Sequence, residues 1–413
     1  MMQGSLGSFD VAIVGGGMVG ASLASALAPL GLRIAVIEAV PHDSALQPSF
    51  DERTTALSNG SRRILEAIRI WPEVSPAATA IRKIHISDQG HFGFARIDAA
   101  EQGLEAIGYV LPNRALGRAL WAGIERSPSI RVFCPASVSE VIPSPAFTTL
   151  ALQRPEGSAG SIEARLVVAA DGAHSAVRSA FAVEAQHRDY RQTALITTVL
   201  PQRFHDHVAY ERFTPGGPIA LLPLHDGRCT LVFTVDAQAA ASALSWSDEE
   251  FLAEVQRRFG FRLGRFLKVG RRVPYPLALT WAERTSAGRC VIVGNAAQGL
   301  HPVAGMGFNL GLRDVASLAE LIADAGERGG LDPGDARLLS EYDAWRREDR
   351  RGIIGFTDGL VRLFSSPLGA ARGMRNLALL AFDLMPPAKS ALQRLSTGAS
   401  RRVPKLARGV ALR

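Results

Sequence analysis

The chain has 413 residues, 47% of them hydrophobic, and a mean hydropathy of +0.10. That excludes an intrinsically disordered chain and leaves room for two packed domains around a large core. The net charge of +7 is uneven: the segment from Arg362 to Arg413 holds ten Lys/Arg against one acidic residue, Asp383. No recognition module accompanies this charge, so nucleic acid is not an expected partner. The basic region reads either as a solvated helical surface with a frayed tail or as a contact for anionic lipid, helped by apolar Leu377 to Leu384. No apolar run is long enough to span a bilayer. Met1 to Asp10 lacks the basic and apolar regions of a secretory signal. Cys134, Cys229 and Cys290 form no C-x-x-C pair and read as reduced core residues of a cytoplasmic protein.

In chain order, Val11 to Val14 is a short apolar strand, followed by Gly15-Gly-Gly-Met-Val-Gly20. Gly15, Gly17 and Gly20 satisfy G-x-G-x-x-G, Ala21 to Leu30 is helix-forming, and a second strand, Arg33 to Ile37, ends in Glu38. Such glycines allow a tight turn and close backbone approach to a pyrophosphate, with a carboxylate about 20 residues on for the adenosine ribose. This motif alone serves NAD or FAD. Ile84 to Phe94 adds a strand from an early excursion, and Arg118 follows Pro112-Asn113 as a further cofactor candidate. Arg165 to Ala170 is a strand leading into Asp171-Gly172, where Ser175 can cap the next helix. By itself this is an ordinary strand–turn–helix corner.

The character then changes. Thr193 to Val199, His207 to Phe213, Pro218 to Pro223 and Cys229 to Val235 are short strand-like runs between Pro, Gly and Asp turns, as in an inserted antiparallel sheet. His205 and His207 alternate along one of them and read as surface residues. Ser247 to Phe259 has the pattern of a capped amphipathic helix. Near the end, the apolar run Cys290 to Val293 leads through Gly294-Asn-Ala-Ala-Gln-Gly-Leu-His-Pro-Val-Ala-Gly-Met-Gly-Phe-Asn309 into amphipathic Leu310 to Asp324. Strand, glycine loop and helix start again aim backbone N–H groups at an electron-rich ligand. Two such loops at opposite ends of the sequence point to one large cofactor gripped from both ends, namely FAD. From Tyr342 the pattern is helical, broken at Pro367 and Pro386-Pro387.

The expected fold is α/β. A Rossmann-like FAD-binding domain (1–76, 104–182 and 272–341) carries an inserted, mostly antiparallel substrate-binding sheet domain (77–103 and 183–271). A helical C-terminal region with a basic tail (342–413) follows. No histidine spacing matches a metal motif, and no metal is expected.

The three cofactor segments, in this order, resemble the single-component flavin monooxygenases of the para-hydroxybenzoate hydroxylase type. A closer resemblance is to the ubiquinone-biosynthesis FAD-dependent monooxygenases, and within them to the 2-polyprenyl-6-methoxyphenol hydroxylases. It is carried by Asp51-Glu-Arg-Thr-Thr-Ala-Leu-Ser58, Glu211-Arg-Phe-Thr-Pro-Gly-Gly-Pro218, Leu221-Leu-Pro-Leu-His-Asp-Gly-Arg-Cys229 and Tyr275-Pro-Leu-Ala-Leu279. Asn295 also fits that branch, whereas Gly299 and Met306 stand where it carries Thr and Gln.

The resemblance implies hydroxylation of a polyprenyl methoxyphenol with NAD(P)H and O2 through a flavin C4a-hydroperoxide. It implies that Asp171 and Gly172 reach FAD and the nicotinamide donor, and that Arg53 lies near the isoalloxazine and pyrophosphate. Pro302 would place its carbonyl beside C4a. Gly305, Met306 and Gly307 would aim N–H groups at the flavin N1/O2 edge, and Asn295 would bond the ribitol. Gly294 and Asn309 bound this cofactor loop. Two rival readings remain. One is a flavin hydroxylase for another ring position or a soluble aromatic acid, the acid needing Arg212 or Arg228. The other is a non-catalytic flavin-binding scaffold of a biosynthetic complex. The residues single out no general base.

Overall fold

The alternating strand and helix signals at the N-terminus wind into a parallel sheet. In the computed structural model, which describes residues 4–42, 44, 53–90, 94–157, 159–301, 305–329, 332–365 and 402–412, Ser5–Val14 lies at its centre. It pairs in parallel with Ala159–Ala169 on one side and Ile34–Ile37 on the other. Cys290–Ile292 and Ile130–Phe133 extend the sheet outward, also in parallel. The second half of the central strand, Val11 to Val14, is apolar and buried because both its faces are covered there. Val11 and Ile13 pack with Leu23 and Leu27 of the helix Met18–Leu27 and with Leu312 and Val315 of the helix Met306–Glu327. Ala12 and Val14 point the other way, into a cluster with Leu150 and Ile162.

The second sheet runs in the order Gln298–Gly299, Val273–Ala282, Ala185–Pro201, Cys229–Asp236, Ile219–Pro223, Val208–Phe213, Lys83–Asp88, Phe94–Asp98. All neighbours are antiparallel except Val208–Phe213 and Lys83–Asp88. Three details differ from the sequence reading. The run expected at Thr193 to Val199 is the end of a 17-residue strand. Its polar first half is a strand because Val273–Ala282 pairs with it across a register shift between Asp189 and Gln192. Val273–Ala282, assigned from sequence to the cofactor block, therefore belongs to the substrate sheet. The expected strand Ile84 to Phe94 is a pair of strands, Lys83–Asp88 and Phe94–Asp98.

One face of this sheet packs Leu195, Leu221, Leu231 and Phe233 against Phe251, Val255 and Phe259. Those phenylalanines and the valine lie on the helix Asp248–Phe259, which starts in a Ser247/Glu250 capping box. The opposite face turns toward the cofactor block. There Ala209, Ile84 and Leu222 meet Ile81, Val110 and Ala56, which come from a small sheet of Thr54–Ser58, Gly108–Pro112 and Thr79–Ile81.

The C-terminal helix spans Ala336–Ser365. Residues 402–412, read from sequence as part of a basic tail, dock on the body. Leu406, Ala407 and Leu412 join the main core cluster. Lys405 Nζ pairs with Asp324 at 2.7 Å and Arg402 with Glu341 at 2.6 Å. Among the described residues no helix is long and apolar enough to cross a membrane.

Candidate active site

The first glycine loop is shaped by backbone contacts. Gly15 has φ +106°, and a Cβ there would lie 2.4 Å from the Ala170 carbonyl oxygen. A Cβ on Gly20 would lie 1.9 Å from the Gly15 oxygen. These two positions lock the loop between the neighbouring strand and its own helix. Gly17 caps the helix Met18–Leu27 with extended backbone, without a side-chain cap and without an acidic residue in the first turn. The first N–H groups of that helix thus remain available to an anion. Glu38 sits across the loop, accepting from Gly16 N at 2.6 Å and Val40 N at 2.8 Å. Trp121 Nε1 donates to Gly16 O at 3.0 Å. Arg118, three residues earlier on the same helix, is exposed beside this corner.

The Asp171-Gly172 turn faces the same space. Asp171 accepts from Ser175 Oγ and Val177 N, and Ser175 in turn caps its helix by accepting from Arg178 N at 2.9 Å. Arg178, buried, reaches across to the late loop and donates to Ala296 O at 2.8 Å.

In the late loop, Gly294 has φ +58°, and a Cβ there would meet Val19 at 3.0 Å. The loop therefore rests directly on the first helix. Gly305 is left-handed (φ +60°) and starts the helix Met306–Glu327, again with no side-chain cap and no acidic first turn. Asn295 is exposed and Met306 is buried against Leu310 and Ile353. Among the described residues, no atom beyond the local chain lies within 4 Å of where a Cβ on Gly307 or Gly172 would be. The Asn309 amide is committed to protein: it accepts from Ser58 N at 2.8 Å and donates to Ala56 O and Gly305 O. It braces the loop against the strand Thr54–Ser58. Pro302 lies outside the described residues.

Gly15, Gly17, Glu38, Asp171, Gly172 and Asn295 line one cavity of about 520 Å³. Arg53 and Arg118 are not among its lining residues. The Arg53 guanidinium lies over the Tyr275 ring at 5.0 Å, linking the cofactor block to the substrate sheet. Uncapped helix starts, a glycine cradle and a carboxylate at the far end form a donor set that fits a dinucleotide whose phosphates meet backbone N–H groups. Among the described residues no cluster could hold a metal ion.

Sequence reasoning missed the apparatus that holds the late loop. Asp314 lies within the helix Met306–Glu327 and is fully buried. It accepts from Gly294 N at 3.0 Å, Gln298 Nε2 at 2.7 Å and Arg346 Nε at 2.7 Å. Arg346 and Arg313 both reach Asp349, and Arg350 donates to Ala297 O at 3.0 Å. The available signal was an aspartate inside an apolar helix and arginines spaced along the next one. The two histidines expected at the surface divide. His205 is buried with Nε2 at 2.8 Å from Leu224 O, and burial lowers its pKa. His207 is half-buried with Nδ1 at 3.1 Å from Ala80 O. His301 is also buried, edge-on to Tyr190, and burial pushes it down to about 4.

Comparison with known proteins agrees with this geometry. The FAD binding domain family matches residues 8–356. Ubiquinone hydroxylase UbiL of Rhodospirillum rubrum is 38% identical, covering 98% of this chain and 93% of that protein. The 3-demethoxyubiquinol 3-hydroxylase of Escherichia coli is 31% identical, over 91% and 94%. Among solved structures, p-nitrophenol 4-monooxygenase PnpA of Pseudomonas putida superposes with a TM-score of 0.78. It covers 96% of this chain and 100% of that one at 20% identity, which shows the shared fold. A family match over most of the chain and a curated relative aligned almost end to end establish that the chain belongs to this FAD-binding family of flavoprotein hydroxylases.

Proposed function

We propose that the chain hydroxylates the ring of a polyprenyl phenol, with NAD(P)H as electron donor and O2 as oxygen source. The observation that carries this reading is the convergence of three cofactor segments on one cavity, in a block against which an apolar face of the second sheet packs at Ala56 and Val110. Curated relatives named as ubiquinone hydroxylases support the choice of substrate. Bound FAD would take a hydride from NAD(P)H and activate O2 for transfer to the ring. The chain's own residues do the rest. The helix starts at Met18 and Met306, which lack side-chain caps, would present N–H groups to the cofactor's charged edges. Glu38 and Asn295, which line the cavity, would border its sugar portions, and the sheet would supply an apolar wall.

The soluble-acid rival needs a free arginine on that wall. Arg212 instead donates to Arg258 O at 3.0 Å on the far face, and Arg228 pairs with Asp226 at 2.6 Å. These contacts favour the apolar substrate. The test uses FAD-loaded protein, NAD(P)H, a short-chain prenylated methoxyphenol and isotopically labelled dioxygen. A phenol carrying one labelled oxygen is expected. Oxidation of NAD(P)H with no label in the ring overturns the reading.

A lipid substrate requires a route to the bilayer, and we propose peripheral contact with an anionic membrane surface. The region from Arg362 onward, proposed from its charge, lies mainly outside the described residues. The contact has support elsewhere, in two adjacent turns joined by Arg203 N to Leu263 O at 3.0 Å. They expose Phe204 (53%) and Phe261 (67%) among exposed Arg203, Arg262 and Arg265. Aromatic tips flanked by cations suit a headgroup layer.

A further inference from the structure

The strand Val208–Phe213 separates its side chains cleanly. Tyr210 stands edge-on to Phe259 at 5.5 Å, and Arg212 bonds the carbonyl of Arg258, so both face the outer helix. By alternation Ala209 and Glu211 face the cofactor block. Ala209 packs in the cluster that holds Ala56. Ala56 lies 3.1 Å from where a Cβ on Gly305 would be, and its carbonyl accepts from Asn309. Glu211 is thus one step along the same face from the strand that supports the late cofactor loop.

Its row across the sheet is apolar. Glu211 is registered with Ile86 and Ala220, Ala220 with Val232, and Val232 with Ile196. Thr230, on the same face as Val232, bonds the Thr54 hydroxyl at 2.9 Å, which brings this surface against the cofactor block. Among the described residues no hydrogen bond or ion pair engages the Glu211 carboxyl. Neither Ile219–Pro223, Thr54–Ser58 nor Gly305–Asn309 carries an ionisable side chain. Among the described residues, Asp88 at the end of the neighbouring strand and Arg53 over Tyr275 are charged groups bordering this face. Glu211 keeps part of its surface accessible. The surrounding protein still desolvates the carboxyl and pushes it up to about 8. A lone carboxyl in an apolar wall costs stability, and such groups concentrate at functional sites.

We infer that Glu211 is the catalytic residue that takes up and returns the phenol proton. This rests on the reading that a phenol is the substrate. The Glu211 carboxylate removes the hydroxyl proton: the phenol O–H bond breaks, a carboxyl O–H bond forms, and the electron pair stays on oxygen to enrich the ring. After an oxygen atom from O2 has bonded to a ring carbon, the original oxygen is a carbonyl. Loss of the proton on that carbon restores aromaticity, while Glu211 returns its proton to the carbonyl oxygen. The overall balance is phenol, O2, NAD(P)H and one proton giving hydroxylated phenol, NAD(P)+ and water.

The test compares wild type, Glu211→Gln and Glu211→Asp as FAD-loaded proteins acting on a short-chain prenylated methoxyphenol. In wild type, kcat/KM for hydroxylation should rise with pH through about 8, below the phenol's own ionisation near ~10. Glu211→Gln should lose that limb and on the order of 100-fold in hydroxylation rate, with FAD affinity and anaerobic flavin reduction unchanged. Glu211→Asp should keep the limb with partial activity. Persistence of the limb in Glu211→Gln overturns the inference, and so does an equal loss of FAD affinity and hydroxylation. Wild type that hydroxylates no phenol is a different result, and it removes the substrate reading itself.

Discussion

Two glycines separate what the protein needs from what the cofactor needs. At Gly15 a Cβ would collide with the Ala170 carbonyl, and φ is positive. Gly15→Val should therefore abolish FAD binding and also lower stability by about 1–3 kcal/mol. At Gly307 a Cβ would meet no neighbouring atom within 4 Å among the described residues. Gly307→Ala should keep or slightly raise the melting temperature, since alanine favours a helix by about 1 kcal/mol. It should weaken FAD binding at least about 10-fold by filling ligand space, a loss of ~1.4 kcal/mol. Thermal unfolding and FAD titration of apo-protein check both, and unaltered affinity in Gly307→Ala would mean that the helix start does not face the flavin. The spacing of Gly15, Gly17 and Gly20 was legible as a motif. That Gly15 answers to Ala170 was not, because the contact joins residues far apart in sequence.

His301 supplies a pH test at the same scale. Its folded pKa is depressed to about 4 by burial, against ~6.5 for an unfolded histidine. Its contribution is then present above about 6.5 and lost as pH falls toward 4, on the order of 3 kcal/mol across that window. Urea unfolding at about pH 7 and 4.5 should show a smaller pH penalty for His301→Leu than for wild type. Parallel losses in the two proteins would assign the acid sensitivity to other groups.

Among the elements, the late loop depends on helices that follow it in the chain. Asp314 and Arg346, both buried, join Gly294 and Gln298 to the two long helices. Removing one partner leaves an uncompensated buried charge, which costs about 3–5 kcal/mol. Arg346→Ala should lose roughly that much in urea unfolding and also weaken FAD binding, since the loop loses its anchor. Normal FAD affinity in a destabilised Arg346→Ala would show that the network supports the helices alone. Elements whose own residues carry the signal were readable: the helix Asp248–Phe259 with its capping box, and the strands Ile219–Pro223 and Cys229–Asp236. The polar half of Ala185–Pro201 was not, because its strand character comes from pairing with Val273–Ala282.

For the whole molecule, the charge count left the C-terminal region either as a solvated helical surface with a frayed tail or as a contact for anionic lipid. Of the cations described there, Arg402 and Lys405 are engaged with Glu341 and Asp324, while most of the region lies outside the described residues. The exposed turns at Phe204 and Phe261 lie elsewhere. Cosedimentation with anionic vesicles should weaken as salt rises, because the attraction is screened beyond ~8–10 Å at physiological ionic strength. Phe204→Ser with Phe261→Ser should reduce it further at low salt. Equal pelleting with neutral and anionic vesicles would sink the membrane reading and leave recruitment by partner proteins.

The sequence by itself determined the α/β class and FAD as the cofactor, and it offered three strand–glycine-turn–helix segments, in order, as candidates to hold it. These are local patterns of strand, glycine turn and helix start, set by steric rules acting over a few residues. The tertiary structure decided which strands share a sheet, which arginines are already engaged, how Asp314 anchors the late loop, and that Glu211 faces the cofactor block. Those facts depend on burial and on contacts between residues tens to hundreds of positions apart, and no local rule encodes them.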